Sequence, residues 1–485
     1  MNYRIVAFLL GELCRTLGIA LCVPFILALL WGDPCRVAFA ETIVLTAVIS
    51  YLLINYGKAD SKDNITFREG VAVVSGAWVL LTFLGGLPYY FGNILDLVSA
   101  VFESISGFTT TGATTITQIV AVPKSMLFWR SMTHWMGGIG IVVWFIALLP
   151  NLGTGVVHMY NAEVTGATDD RVLPRIKTTS VALCKIYVGL TTILAILLFG
   201  AGMNVFDSIT HAFSTIATGG FSSYDTSIVY FKSPLIEMII AVFMILAGGN
   251  FALYFSVGSK GIKELWHDTE FFSYIAIVVV VTLLITGNLA AKTGMGLVEA
   301  ARYAFFQVAS IISTTGFVSN DFDVWPPFSK YMLVMLMFIG ACAGSTAGGI
   351  KVSRIVILFK TAVAEIKRVL HPSAIFSVKM SGKSVPLSVI TGISRFFFLY
   401  MLLFAILTLL LASTGLTVTD SMGAIAATIS SVGPALGIAG ATCTYAPIAP
   451  FGKIVICLAM LLGRLELFTL MVLIRPEFWR STRNW

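Results

Sequence analysis

Ten apolar stretches, each near the roughly 20 residues that a helix needs to cross a hydrocarbon core, constrain this chain more than any other feature. They run over residues 3–30, 37–56, 71–91, 126–150, 182–203, 234–257, 272–290, 331–358, 393–414 and 451–474. Only helices and closed barrels satisfy every backbone group in lipid, and stretches of this length are helical. Of the 485 residues, 57% are hydrophobic and 11% charged, against about 25% charged in soluble domains, so no polar exterior is available. The chain reads as an all-α polytopic membrane protein. Its first 30 residues have the basic start and apolar run of a signal peptide, but the run is long and no small-residue cleavage site follows; they read as a retained helix.

Basic residues give the orientation. Lys58, Lys62 and Arg68, then Arg171, Arg175 and Lys177, then Lys260 and Lys263, fall in alternate loops. Lys360, Lys367, Arg368, Lys379 and Lys383 fill the fourth such loop, and Arg475, Arg480 and Arg483 the C-terminal tail. The intervening loops are much poorer in Lys and Arg, which predicts cytoplasmic termini. The same rule accounts for the net charge of +7 without a nucleic-acid partner. Seven cysteines, odd in number, scattered and without a CxxC pair, predict neither a disulfide framework nor a metal site. No HExxH, nucleophile elbow or paired-carboxylate site occurs in a plausible setting, so the chain does not read as an enzyme. His134 and His211 lie among aromatic and apolar residues and read as packed side chains.

The outer connections are too long for turns. Four of them hold a second apolar stretch, near 96–108, 207–217, 299–313 and 420–430, below spanning length and therefore re-entrant. Each begins at or near an acid, Asp96, Asp207, Glu299 or Asp420, a choice that suits the positive end of a helix or an ordinary cap. The unit of span, half-helix, loop and span recurs four times.

Each half-helix runs into a related octapeptide: "SGFTTTGA" from Ser106, "STIATGGF" from Ser214, "SIISTTGF" from Ser310 and "ATISSVGP" from Ala427. All four place glycine seventh, at Gly112, Gly220, Gly316 and Gly433, about 100 residues apart. Small residues in membrane helices usually mark tight packing, which accounts for one such glycine but not for four at one place in a repeated unit. Non-helical backbone survives at membrane depth only when buried in protein or lining water. Four loops meeting at an axis present carbonyls that replace the hydration shell of a monovalent cation, and the half-helices aim their negative ends at the same point. The candidate ion-binding residues are Thr110, Thr111 and Gly112; Thr218, Gly219 and Gly220; Thr314, Thr315 and Gly316; Ser431, Val432 and Gly433.

Two further features break span logic. "GACAGSTAGGIKVSR", Gly340 to Arg354, interrupts one span with four glycines. It is not a phosphate-binding loop, since Ile350 rather than Lys follows Gly349 and no strand precedes it. Such a break is either a packing kink or a loop within the membrane, and Gly344, Ser345, Thr346, Ala347, Gly348 and Gly349 form its centre. Arg464, in "LLGRLELF", puts a charge mid-span, which requires a bundle interior or a wet cavity; it either ties helices together or acts on a passing ion. Glu466, two positions on, points elsewhere.

The four octapeptides and the glycine-rich break resemble the TrkH type of the Trk/Ktr/HKT superfamily of potassium transporters, over nearly the whole chain. The resemblance implies four span–pore-helix–span repeats around a pseudo-fourfold ion pore, at 71–150, 182–257, 272–358 and 393–475, behind two extra N-terminal transmembrane helices at 1–56. It implies potassium uptake across a bacterial inner membrane, with K⁺ held at the filter carbonyls. In related plant proteins of that superfamily a serine at the first filter glycine goes with sodium preference, so Gly112, with the other three glycines, implies potassium. It further implies a gate at 344–349 and Arg464 projecting into the pore below the filter. A homodimer in membrane lipid, and a cytosolic nucleotide-binding regulatory subunit of TrkA type, are also implied, with no nucleotide bound by this chain. The fourth loop departs from the pattern, with Val432 before its glycine and Pro434 after it. All repeats run in the same sense, unlike the inverted repeats of many secondary transporters; the residues leave channel-like conduction and proton- or sodium-coupled symport both open.

Overall fold

The computed structural model describes residues 1–57, 66–140, 173–374, 376–465 and 467–479. Glu466, the residues 141–150 that end the fourth expected span, and Lys58, Lys62, Arg171, Arg480 and Arg483 lie outside them.

Among the described residues the secondary structure is helical apart from one short hairpin, β1 (Lys379–Met380) with β2 (Lys383–Ser384). Helices α1 (Tyr3–Leu30) and α2 (Arg36–Gly57) form a leading antiparallel pair. Small residues let them approach: Ser50 Oγ donates to the Gly11 carbonyl at 2.8 Å, and a Cβ at Gly11 would sit 2.8 Å from Ile54. This pair packs on α3 (Phe67–Phe91) and, through α1, on α5 (Lys124–Ile139).

Four helices of 12 to 16 residues each follow one of 25 to 28: α4 (Leu97–Phe108), α7 (Val205–Ile216), α12 (Leu297–Ile312) and α16 (Val418–Ile429). Their flanking partners are α3 and α5, α6 (Leu173–Gly200) and α8 (Pro234–Gly248), α11 (Thr269–Thr293) and α13 (Pro327–Ile339), and α15 (Leu387–Ala412) and α17 (Pro450–Arg464). An acid lies at or near each N-terminus, but only in the first is it the cap itself. Asp96 accepts from Ser99 N at 3.3 Å, while Asn204 and Thr417 cap the second and fourth, with Asp207 and Asp420 in the first turn. Gly296 precedes the third and gives no side-chain cap, leaving Glu299 in its first turn to meet the dipole.

Burial is inverted relative to a soluble protein. Ile19, Leu283, Phe398 and Leu409 are more than half exposed on long helices, where lipid covers them, whereas Thr109, Thr110, Thr111, Thr314, Thr315, Ser430 and Ser431 are fully buried at the centre. Six described helices are long and apolar enough to cross a bilayer.

Three expected spans are broken. The stretch read as 234–257 bends by 92° between α8 and α9 (Phe251–Lys260). Gly249 and Asn250 lie at the break, and the Asn250 side chain caps α9 by accepting from Ala252 N at 2.9 Å. The stretch read as 331–358 is α13, a hairpin-like excursion, and α14 (Val352–Leu370). The last, read as 451–474, stops at Arg464 and resumes as α18 (Leu467–Ile474); Arg464 therefore lies at a helix end rather than mid-helix. Between α9 and α11 lies α10 (Lys263–His267), and α19 (Pro476–Trp479) closes the described chain.

Candidate ion-conducting site

Each short helix ends in the same way. The residue at octapeptide position five is left-handed: Thr110 at φ 56°, Thr218 at 55°, Thr314 at 57° and Ser431 at 57°. The N–H at position six reaches back to the carbonyl at position one, as in Thr111 to Ser106 (2.9 Å), Gly219 to Ser214 (2.8 Å), Thr315 to Ser310 (2.8 Å) and Val432 to Ala427 (2.7 Å). The N–H at position five reaches the carbonyl at position two in all four. This paired closure of a helix end normally uses glycine at its left-handed residue. Here a hydroxylated residue occupies that conformation, at a cost of roughly 1–2 kcal/mol each.

Two residues later the chain is left-handed again, at Gly112, Gly220, Gly316 and Gly433, with φ from 76° to 90°. These glycines close a ring. A Cβ at Gly112 would overlap the carbonyl oxygen of Gly219, one at Gly220 that of Thr315, one at Gly316 that of Val432, and one at Gly433 that of Thr111. In each case the oxygen belongs to the residue just before the next loop's glycine, and the fourth loop returns to the first. Lack of a side chain thus sets how closely the four loops approach one another.

The walls behind the ring differ from loop to loop. In the first and third, hydroxyls at positions four and six pair, Thr109 with Thr111 at 2.8 Å and Ser313 with Thr315 at 2.7 Å. In the second, the ring of His134 lies against Gly219; its Nδ1 is 2.7 Å from the Gly107 carbonyl and its Nε2 accepts from Phe221 N at 3.3 Å. In the fourth, Tyr400 meets Ser430 at 2.9 Å and Tyr445 donates to the Gly433 carbonyl at 2.7 Å.

Three residues before each of the first three octapeptides stands a side chain that holds the limb of its own loop beyond the glycine. Glu103 accepts from Thr114 Oγ1 and Thr115 N, both at 2.9 Å. His211 Nε2 lies 3.0 Å from Ser222 Oγ, and Gln307 donates to the Asn320 carbonyl at 3.3 Å. The fourth position is Ala424, and there Asp420 takes over by accepting from Ile438 N at 3.0 Å. Glu103 also pairs with Arg130 at 2.7 Å in full burial. Arg130 in turn donates to the Ser222 carbonyl at 2.9 Å and lies 3.5 Å from the centre of the Phe221 ring, which joins the first loop to the second.

The glycine-rich break is a hairpin, not a kink. Its legs are zipped by Ile350 N to Phe338 O (3.1 Å), Lys351 N to Ile339 O (3.0 Å) and Val352 N to Ala341 O (2.9 Å). Its tip meets the left-handed residues of the ring loops. Gly348 N donates to Thr314 Oγ1 at 2.7 Å, and the hydroxyls of Thr346 and Thr218 are 3.2 Å apart. Thr346 also donates to Ile216 O at 3.1 Å, while Ser345 folds back on Cys342 O at 2.6 Å. Gly344 packs on Asn250, Gly349 on Gly340, and Ala347 O accepts from Lys351 Nζ. Arg464 reaches the same place from α17. Its guanidinium donates to Thr346 O at 2.9 Å, Thr110 Oγ1 at 3.3 Å, Gly138 O at 3.0 Å and Gly137 O. It joins the hairpin tip, the first loop and the end of α5.

The profile of TrkH, described as a cation transport protein, matches residues 36–481. The chain belongs to the TrkH family. It is 38% identical, over 99% of its length and 100% of the relative's, to the Trk system potassium uptake protein TrkH of Escherichia coli strain K12. It is 34% identical to the Trk system potassium uptake protein TrkG of the same strain, over 99% of both chains. The crystal structure of the potassium transporter TrkH from Vibrio parahaemolyticus superposes with a TM-score of 0.90, at 36% identity, over 99% of this chain and 100% of that one. The TrkH family assignment makes this a multi-pass membrane transport protein.

All twelve residues expected to bind the ion in this TrkH family member lie in the four loops; six of the seven expected gate residues lie in the hairpin that touches them, and the seventh, Arg464, ends α17. Sequence reasoning missed Glu103, Arg130, Tyr445 and Glu270, and it treated His134 as ordinary packing. The buried pair had a signal, since Glu103 and Arg130 are ionisable residues within apolar runs; only the fold shows that they meet.

Proposed function

We propose that this protein takes up potassium across a bacterial inner membrane through a channel-like filter, which the four octapeptide loops form with their backbone carbonyls. The closed ring of glycine-to-carbonyl approaches carries this reading, because it supports a fourfold set of carbonyls around one axis. Left-handed residues at positions five and seven of each loop favour successive carbonyls on one side. The relatives' function, potassium uptake in both Escherichia coli proteins, points to the same ion.

In this reading, conduction is limited beneath the filter. The hairpin 340–351 seats against Thr218 and Thr314, and Arg464 holds its tip at Thr346. The fixed positive charge of Arg464 opposes cation passage there. A Trk-system partner of nucleotide-binding type on the inner face, acting on a homodimer of this chain, relieves the block; both termini are then cytoplasmic.

The test is cation uptake into proteoliposomes containing this protein, comparing K⁺, Rb⁺, Na⁺ and Li⁺ without an imposed proton or sodium gradient, with and without the partner. Passive K⁺ and Rb⁺ uptake that excludes Na⁺ and Li⁺ is the expected result. A requirement for a proton or sodium gradient overturns the channel-like reading in favour of symport.

A further inference from the structure

We infer that Glu270 is the clamp of the intramembrane hairpin, a positioning residue whose one carboxylate fixes both of the hairpin's legs. This rests on the reading of the hairpin as a gate. Glu270 stands in the first turn of α11 and is 8% exposed. Its Oε1 accepts from Ala343 N at 2.6 Å on the descending leg and from Ser353 N at 3.1 Å at the start of α14. Those two donors come from opposite ends of the excursion, so one oxygen holds the loop's entrance and exit together.

The local sequence leaves this task to a distant residue. The N-cap position of α14 is Lys351, at φ 84° and without a side-chain cap, so the first N–H groups of that helix need an acceptor from elsewhere. A carboxylate is the best acceptor for them, since it meets the positive helix end as well. Ala343 belongs to no helix, and its N–H likewise has Glu270 as acceptor.

The hairpin is also seated from the other side. Cys342 N donates to Gly248 O at 3.0 Å and Phe251 N donates to Gly344 O at 3.2 Å, both at the α8–α9 break. The chain thus leaves the hairpin at Phe251, passes through α9 and α10 on the inner face, and returns to it at Glu270. An event on that inner segment is coupled to the hairpin at both ends, and Glu270 is the end that holds the legs shut.

The experiment measures Rb⁺ uptake and the Rb⁺/Na⁺ ratio in proteoliposomes for Glu270→Ala, Glu270→Gln and a chain lacking part of Gly344 to Gly349, singly and combined. Glu270→Ala is expected to raise uptake about tenfold, the size of one lost charge-assisted hydrogen bond, at an unchanged Rb⁺/Na⁺ ratio. Glu270→Gln keeps one acceptor oxygen and is expected to give a smaller rise, so it serves if the alanine chain does not assemble. Neither substitution is expected to add to the deletion. Unchanged or lowered uptake in both variants, a loosened ratio, or full additivity with the deletion overturns the clamp. If the deletion alone leaves uptake unchanged, the gate itself is wrong, and that failure is separate from the clamp's.

Discussion

Gly348 donates its backbone N–H to the hydroxyl of Thr314 at 2.7 Å, across 34 residues of sequence. The residue that ends the third short helix in a left-handed turn is therefore also the seat of the hairpin. Thr314→Gly separates the two roles. Glycine removes a left-handed strain of roughly 1–2 kcal/mol and also removes the seat. Thermal stability is expected to hold or rise while Rb⁺ uptake increases several-fold. A matched loss of both in a thermal-shift and flux comparison would refute the dual role.

Gly316→Ser is expected to loosen ion discrimination. Its Cβ would run into the Val432 carbonyl oxygen and strain a backbone at φ 80°. The neighbouring loop must retreat, which widens the ring. Uptake of Na⁺ relative to Rb⁺ is the quantity to follow, and an unaltered ratio in a folded variant counts against the ring as the selective element.

Arg464→Gln keeps some hydrogen bonding but removes the charge. It releases Thr346 O, Thr110 and the α5 carbonyls while eliminating the local repulsion of cations. An increase of about tenfold in uptake is expected, since hydrogen bonds from charged groups contribute about 1.5–3 kcal/mol. Flux at the wild-type level would show that the block lies elsewhere.

Breaking one half of the Glu103–Arg130 pair leaves an uncompensated buried charge, which costs about 3–5 kcal/mol. Glu103→Gln is expected to lower the thermal midpoint by several degrees and to degrade Rb⁺/Na⁺ discrimination, because the limbs of the first and second loops beyond their glycines hang on the pair. Glu103→Gln combined with Arg130→Met, which removes both charges, is expected to recover stability more than discrimination. Recovery of both together would show that the pair serves packing alone.

Asp96 gives a pH test at the N-terminal end of α4. Its hydrogen bond with Ser99 holds the carboxyl below the usual carboxylate range. The cap is thus complete above the ordinary value near 3.9 and is lost as pH falls through the lowered value. Asp96→Asn, which keeps an acceptor without the titration, is expected to flatten the acid limb of a stability profile below about pH 4.

Much of this architecture was legible in the residues because its signals are local. Apolar length marked the spans, and the four short helices lie within two residues of where a sub-spanning stretch between turn residues placed them. The glycines followed from backbone need. What was not legible depends on partners distant in sequence. Nothing around Glu270 announces that it caps a helix beginning at Val352, and nothing near Tyr445 announces the Gly433 carbonyl. The left-handed threonines stayed hidden because that helix ending normally carries glycine. The break at Gly249 and Asn250 was masked by unbroken hydropathy on either side, although Gly-Gly-Asn is ordinary helix-stop chemistry.

The cyclic contact of the four loops has a consequence for inheritance. Each quarter of the coding sequence meets two others at a seam of atomic width, where one loop's glycine faces the next loop's carbonyl. A chimera that exchanges one quarter, or two adjacent quarters, with a relative renews two seams; one that exchanges opposite quarters renews all four. Recombination between relatives is thus tolerated by adjacency around the ring rather than by the length of gene exchanged, and substitutions near the axis are free to drift only in company with those of the next quarter.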